Sequence, residues 1–167
     1  MLRSKIAALA IITLVGTLFF HPAMNTAEGK TPWQVICKKG KSRCHMVAEL
    51  KTTKNIVASI FTLERMQPAG SNRVQTIAVL RLPLGLHIPS GVNIRVDKKL
   101  AFKANLIDCN KRGCRAVFTA TDKILTALLK GSQAAVIIVD SKSRKTVALT
   151  HSLTGFAKTW EQLVRSS

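Results

Sequence analysis

Hydrophobic and polar residues alternate along most of the chain after residue 32, with many β-branched side chains, and this is the pattern of half-buried β-strands. Nine runs with this pattern are predicted to be strands: 33–37, 43–50, 56–63, 74–82, 92–96, 100–109, 114–119, 134–139 and 146–152. The segments between them carry turn-forming residues, and none is long enough to be an interdomain linker. The pattern therefore predicts an all-β sandwich or barrel, formed as a single domain by residues 28–167.

Two segments show the helical period of hydrophobic residues instead. Residues 121–130 place four apolar side chains at helical spacing, with Thr121 as the predicted N-cap and Gly131 just beyond the last turn. Residues 154–165 place apolar and aromatic side chains at a similar spacing. We therefore predict one or two short helices, the second of which packs the C-terminus onto the sheet.

The first 27 residues have the pattern of an export signal. Arg3 and Lys5 precede an uncharged run of 15 residues, 6–20, which is shorter than the roughly 20 residues needed to span a bilayer. We predict a secretory signal peptide over residues 1–27, cleaved after Ala23 or Ala27, and no transmembrane span in the mature chain. An uncleaved membrane anchor is the alternative.

Export changes the chemistry expected of the four cysteines, because oxidising compartments favour disulfides. Cys37 and Cys44 bracket one predicted hairpin tip that contains a glycine, and Cys109 and Cys114 bracket another. We predict a disulfide within each pair. The alternative is a zinc site that uses all four cysteines, but the short spacers usual in such sites are absent and both brackets are strongly cationic.

The strand register that each disulfide would impose supports this pairing. It places apolar residues opposite one another and keeps one face of each hairpin apolar. The predicted partners are Trp33 with Ala48, Val35 with Met46, Ile107 with Ala116, and Leu106 with Val117.

The chain is strongly basic, with 26 Lys and Arg against 8 Asp and Glu, a formal charge of +18. Removing residues 1–27 takes away Arg3 and Lys5 but no acid, so the mature chain keeps 24 bases against 8 acids, or +16. Much of this charge lies at or beside four predicted hairpin tips, and we predict that the tips bind polyanions. The candidate residues are Lys38, Lys39, Lys41, Arg43, Lys98, Lys99, Lys111, Arg112, Arg115, Lys142, Arg144 and Lys145. The alternative is that these side chains only solvate the turns.

Export also decides which polyanion is expected. Nucleic acid is the usual partner of such charge in the cytoplasm, whereas an exported protein meets lipopolysaccharide, anionic lipid headgroups or sulfated glycans of a host-cell surface. The chain after residue 27 has only four Phe and two Trp, which is little aromatic surface for stacking single-stranded nucleic acid. Envelope or host-cell polyanions are therefore the predicted partners, and nucleic acid is not.

The sequence contains no pattern that predicts catalysis. The eight acids are widely spaced, and His45, His87 and His151 each lie far from the others. A Gly-x-Ser-x-Gly nucleophile turn does not occur. We predict a protein that is not an enzyme and that has no catalytic residue, no cofactor and no metal.

Several short motifs of the mature chain, taken in order, resemble those of one family. They are Trp-x-Val-x-Cys at 33–37, Cys44, Leu-Pro-Leu-Gly at 82–85, Gly91-Val92, Cys109 with Gly113-Cys114, Gly131, and Ser-Leu-x-Gly-Phe at 152–156. From about residue 33 to residue 163, the chain resembles the invasion-associated locus B family. The resemblance implies an immunoglobulin-like β-sandwich in an exported protein of a Gram-negative bacterium, located in the periplasm or at the outer membrane and cell surface, with a role in invasion of host cells. It implies no catalytic residue.

Taken together, these observations predict an exported binding module for host-cell invasion or envelope interaction. The alternatives are an envelope assembly factor and an accessory subunit of an envelope enzyme. A long exposed edge strand, or a bare apolar patch at residues 82–86, would favour the assembly factor. A deep pocket lined by histidines and acids would favour the enzyme subunit.

Overall fold

The computed structural model describes residues 32–38 and 43–166 of the chain. Within them lie nine strands: β1 (Trp33–Cys37), β2 (Cys44–Lys51), β3 (Val57–Met66), β4 (Gln75–Leu82), β5 (Val92–Val96), β6 (Leu100–Asn110), β7 (Gly113–Thr119), β8 (Gln133–Val139) and β9 (Thr146–Ser152). The same residues form two α-helices, α1 (Asp122–Lys130) and α2 (Phe156–Arg165), and a short 3-10 helix at Ile88–Ser90. All nine predicted strands and both predicted helices are confirmed. The predicted signal peptide, 1–27, lies outside the described residues.

The nine strands form one antiparallel sheet in the order β1-β2-β3-β4-β7-β6-β5-β8-β9. β6 is shared by the two halves of this sheet, because residues 105–110 pair with β7 and residues 100–104 pair with β5. Contacts of β9 with β2 and β3 bring the two halves together. The all-β prediction is confirmed, and the two layers belong to one curled sheet. The immunoglobulin-like arrangement implied by the resemblance stays a prediction.

The core lies between the two halves, and aromatic rings join three of its elements. Trp33 of β1 contacts Phe61 of β3 and Phe156 of α2 edge to face, with ring centroids 5.4 and 4.9 Å apart. This geometry is favourable for aromatic pairs. Trp33 also donates a hydrogen bond from Nε1 to the backbone oxygen of Ser152, at 2.8 Å. The second predicted helix therefore packs onto the sheet as expected.

Both predicted disulfides are present. Cys37 is bonded to Cys44 and joins β1 to β2, and Cys109 is bonded to Cys114 and joins β6 to β7. The described residues contain no free cysteine. Each disulfide therefore links two strands that are already neighbours in the sheet.

The predicted register is confirmed in the first hairpin and wrong in the second. Trp33 faces Ala48 and Val35 faces Met46, as predicted. In the second hairpin Leu106 faces Ala116, the partner that was predicted for Ile107. The ladder shifts between Leu106 and Asp108, so Ile107 is the extra residue of a β-bulge. Its side chain is 57% exposed, and no apolar partner holds it in register.

The glycine after α1 has a steric role. Gly131 has an extended backbone with φ −83°, so it does not form a left-handed helix cap. A Cβ at this position would lie 2.7 Å from the backbone oxygen of Ala127 and 2.8 Å from Cγ1 of Val96. Glycine is therefore required for the close approach of α1 to β5. At the other end of the helix, Thr121 occupies the predicted N-cap position but makes no capping hydrogen bond with its side chain.

The apolar segment after β4 is partly buried and partly exposed. Leu82 is buried at 2% exposure, whereas Leu84 is 57% exposed. Leu86 packs against the core and forms an isolated bridge with Asp140. The segment is therefore held to the core at its two ends, while residues 83–85 between them are exposed.

Candidate functional site

The basic residues predicted to bind polyanions lie at or beside four hairpin tips. The described members are Lys38 and Arg43 at the β1–β2 turn, Lys98 and Lys99 between β5 and β6, Lys111, Arg112 and Arg115 at the β6–β7 turn, and Lys142, Arg144 and Lys145 between β8 and β9. All of these side chains are exposed. Lys39 and Lys41 lie outside the described residues. The structure therefore leaves every described candidate accessible to a ligand in solvent.

Three arginines surround one hollow at the β6–β7 tip. Arg81 of β4 and Arg115 of β7 are register partners in adjacent strands. With Arg112, Asn110 and Gly113 they line a hollow of about 180 Å³. Arg112 comes from the turn itself, where its backbone N–H donates to Oδ1 of Asn110 at 2.8 Å. Residues from two strands and one turn therefore line a common space, which we call the arginine hollow.

Gly113 makes this convergence sterically feasible. It has φ +111°, in the region that side chains rarely adopt, and an added Cβ would lie 2.3 Å from the backbone oxygen of Leu82. The turn between β6 and β7 is therefore able to close tightly against the end of β4. Because of this close approach, Arg112 on the turn lies beside Arg81 on β4.

The three arginines of the hollow carry more positive charge than Asp108, the one described carboxylate paired with any of them, can balance. Asp108 accepts a hydrogen bond from Nε of Arg115 at 2.8 Å and forms an ion pair with Nη2 of the same residue. The hydrogen bond with Arg115 lowers the pKa of Asp108 below its ordinary value, so this carboxylate stays ionised at neutral pH. Among the described residues, neither Arg81 nor Arg112 has a carboxylate within ion-pair distance. Like charges on opposed strand positions repel, and a bound anion would relieve that repulsion.

Acidic residues shape two of the other tips. Asp97 accepts hydrogen bonds from the backbone N–H of Gln133 at 3.0 Å and of Ser132 at 3.2 Å. Asp140 accepts from the backbone N–H and the hydroxyl of Ser143 at 2.6 and 2.7 Å, and these bonds lower its pKa. Both carboxylates therefore fix the conformation of the tips in which they lie.

The described residues of the remaining tip have an acid of their own nearby. Lys38 and Arg43 line a hollow of about 370 Å³ together with His45 and Glu64. Glu64 lies on β3, opposite His45 of β2. A carboxylate in the wall makes this hollow a weaker anion site than the arginine hollow.

A serine and a histidine from distant strands are paired inside the protein. Nε2 of His151 lies 2.7 Å from Oγ of Ser59, and both residues are only 2% exposed. Burial lowers the pKa of His151 from 6.5 to about 4, so the imidazole is neutral at pH 7. The pair joins β3 to β9 across the core and is closed to substrate. We interpret it as a structural contact.

The described part of the chain contains neither a cluster of metal-binding side chains nor a membrane-spanning helix. Residues 32–38 and 43–166 contain no group of three or more His, Cys, Asp or Glu side chains placed to hold a metal ion. No helix within these ranges is both long enough and apolar enough to cross a bilayer.

The sequence predicted two of the three arginines of the arginine hollow but missed Arg81. Arg112 and Arg115 were identified because they flank a predicted turn. Arg81 lies near the end of a different strand, and its role depends on the pairing of β4 with β7. These strands are not consecutive in the chain. The only signal was that Arg81 is the one charged residue of its strand, within the otherwise apolar run 77–82.

The fold and the site define a class of protein: an all-β domain with two local disulfides and a cationic surface, whose buried Ser59–His151 pair is closed to solvent. The chain belongs to the Invasion associated locus B (IalB) protein family, whose profile matches residues 33–164. The family resemblance predicted from the sequence is therefore confirmed.

A solved structure is similar over most of the chain. The crystal structure of invasion associated protein b from Bartonella henselae matches with a TM-score of 0.69, covering 83% of this chain and 95% of that chain. The two sequences are 19% identical over the match, so the likeness concerns the fold. None of the curated proteins compared with the chain matches it.

Proposed function

We propose that this protein is a non-enzymatic binding module of the bacterial envelope or cell surface, which holds anionic polymers at its basic hairpin tips. Membership of an invasion-associated family supports an exported or surface protein. The polymers of that environment carry phosphate groups, as in lipopolysaccharide and anionic lipids, or sulfate groups, as in glycans of a host-cell surface. Attachment to such polymers would serve host-cell invasion or envelope interaction.

The observation that carries this proposal is the arginine hollow. Arg81, Arg112 and Arg115 line a hollow of about 180 Å³, and among the described residues the only carboxylate paired with any of them is Asp108, on Arg115. Guanidinium groups form planar, paired hydrogen bonds with phosphate and sulfate oxygens. The remaining basic tips would add salt-sensitive attraction along a repeating polyanion. The arginine hollow would then bind one charged group while the other tips contact its neighbours in the polymer.

The experiment compares two double variants of equal charge change. Arg81→Glu/Arg112→Glu reverses two cations of the arginine hollow, and Lys142→Glu/Arg144→Glu reverses two cations of another tip. Retention on immobilised heparin and on lipopolysaccharide is measured over a salt gradient. We expect the first variant to elute at much lower salt than the second, because it removes convergent charges.

Three outcomes would contradict the proposal. Retention that does not depend on salt would exclude a polyanion as the ligand. Equal losses in the two variants would mean that charge acts without the arginine hollow. No retention of the unaltered protein on either polymer would exclude both ligand classes.

A further inference from the structure

β9 is an edge of the sheet, and its backbone pattern determines which groups face outward. In the neighbouring β8, the oxygen of Gln133 accepts from the backbone N–H of Asp97 at 3.0 Å, so odd-numbered residues of β8 bond toward β5. Even-numbered residues of β8 therefore bond toward β9, where their register partners are odd, as in Val136 with Leu149. The even-numbered residues of β9 consequently direct their N–H and C=O groups away from the sheet.

These outward groups are accessible along most of the strand. Thr146, Ala148 and Thr150 are exposed, and among the described residues β9 pairs with no strand other than β8. At Ser152 the pattern ends, because its oxygen already accepts the Nε1–H of Trp33 at 2.8 Å. Three successive pairs of donors and acceptors are therefore available to a further strand, which is the usual basis of recognition by strand addition.

The two faces beside this edge differ in chemistry. On the core side, Val147 is 39% exposed and Leu149 is half-buried, so an added strand would meet apolar contacts there. On the outer side, small residues of β8 and β9 form the floor of a hollow of about 510 Å³. Its lining residues are Arg95, Asp97, Lys98, Gln133, Ala135, Ala148 and Thr150.

Register fixes what would lie opposite Arg95. Arg95 of β5 faces Ala135 of β8, which faces Thr150 of β9. A strand added beyond β9 would place its residue about 14 Å from Arg95, or three strand spacings. Because Ala135 and Thr150 are short, they would leave space for a Glu on the added strand and the long side chain of Arg95 to extend toward each other. Lys142, Arg144 and Lys145, just before β9, add positive charge at its start.

We propose that β9 binds an extended acidic segment of another protein by strand addition, with alternate apolar side chains facing Val147 and Leu149. Charge selects this occupant over a second copy of the chain, which carries 26 basic residues against 8 acidic ones. The proposal uses β9 and the hollow beside Arg95, so it does not depend on the arginine hollow.

The test uses the folded protein and a short peptide of alternating Glu and Val, with binding followed by fluorescence anisotropy. In Ala148→Pro the outward N–H is lost while the hydrogen bonds between β8 and β9 are kept. We expect its affinity for the peptide to fall about tenfold or more. We also expect binding to protect the amides of Thr146, Ala148 and Thr150 from hydrogen exchange.

Matched controls separate the parts of the proposal. A peptide with N-methyl groups on alternate residues keeps its charge but lacks the required donors, so it should bind the unaltered protein at least tenfold more weakly. This control remains informative if Ala148→Pro fails to fold. A Lys-Val peptide should not bind, and Arg95→Gln should weaken the Glu-Val peptide. Arg81→Glu/Arg112→Glu should leave peptide binding unchanged.

Several outcomes would overturn the inference. They are the absence of Glu-Val peptide binding at millimolar concentration, equal binding of the N-methylated peptide, or protection of amides outside β9. Equal binding of the Lys-Val peptide would refute the acidic partner.

Discussion

The two edge strands of the sheet are held in different ways. β1 is joined covalently to β2 by Cys37–Cys44, and its Trp33 is 2% exposed between Phe61 and Phe156. β9 has no disulfide, and of its seven residues only His151 is buried. Exposed edges are the parts of a sheet most open to pairing with other chains. The comparison therefore separates an edge that serves stability from an edge that is accessible to a partner.

The largest effect is expected at the aromatic anchor of β1. Trp33→Ala would remove two edge-to-face ring contacts and the hydrogen bond to Ser152, at a cost of about 3–5 kcal/mol in the free energy of unfolding. The matched change on the other edge, Val147→Ala, should cost less than about 1 kcal/mol, because that side chain is 39% exposed. Urea unfolding of both variants measures the difference. Equal losses would mean that the two edges are equally important for stability.

The second largest effect is expected in how stability depends on pH, and its source is His151 of β9. The unfolded His151 takes up a proton near pH 6.5, whereas burial lowers its folded pKa to about 4. The contribution of neutral His151 to the free energy of unfolding is therefore complete above pH 6.5 and is lost as the pH falls toward 4. It amounts to about 3 kcal/mol in all. Urea midpoints between pH 7 and 5 should fall in the unaltered protein and stay level in His151→Gln. Thr150→Val, a change at the neighbouring residue that faces outward, should leave the dependence of the urea midpoint on pH unchanged. If His151→Gln showed the same dependence as the unaltered protein, His151 would not be its cause.

The third effect compares the two disulfides. Loop-closure entropy gives about 2.5 kcal/mol for Cys37–Cys44 and about 2.2 kcal/mol for Cys109–Cys114. Although these losses are similar, their location should differ in the two Cys→Ser double variants. Without Cys37–Cys44, amide protection should fall mainly in β1, which pairs with β2 alone among the described strands. Without Cys109–Cys114, β6 and β7 should stay protected, because each keeps a second neighbour. Hydrogen exchange that showed equal local loss in both would contradict this.

The smallest effect is expected on the outward face of β9. Ala148→Ser should change the free energy of unfolding by less than about 0.5 kcal/mol, as for other exposed positions. The same substitution at buried Ala48 of β2 provides the contrast and should be clearly destabilising. Thermal unfolding of the two variants is sufficient to compare them. A loss at residue 148 as large as at residue 48 would mean that the edge is covered in the folded protein.

The strands could be predicted from the sequence because their alternation is local. The runs at 33–37, 92–96 and 146–152 have the bounds that the structure gives to β1, β5 and β9. The register of the second hairpin could not be predicted, since the bulge at Ile107 depends on how β6 bends to serve two neighbours. The disulfides could also be predicted, because each joins cysteines that are only seven or five positions apart in the sequence.

The candidate sites were predicted less completely, because they depend on contacts between distant segments. Arg81 and Arg115 are 34 positions apart and meet only through the pairing of β4 with β7. Ser59 and His151 are 92 positions apart, and their pairing requires the two halves of the sheet to close over each other. The clusters of cations at the turns could be predicted from the sequence, whereas Arg81, which lines the same hollow as one of these clusters, could not.

Sharing β6 between the two halves of the sheet has a consequence for unfolding. Its residues 100–104 complete one half and its residues 105–110 complete the other, so loss of this strand opens both. Neither half keeps a closed hydrophobic layer without it. The domain should therefore melt in a single cooperative transition, with no stable species that retains one half alone.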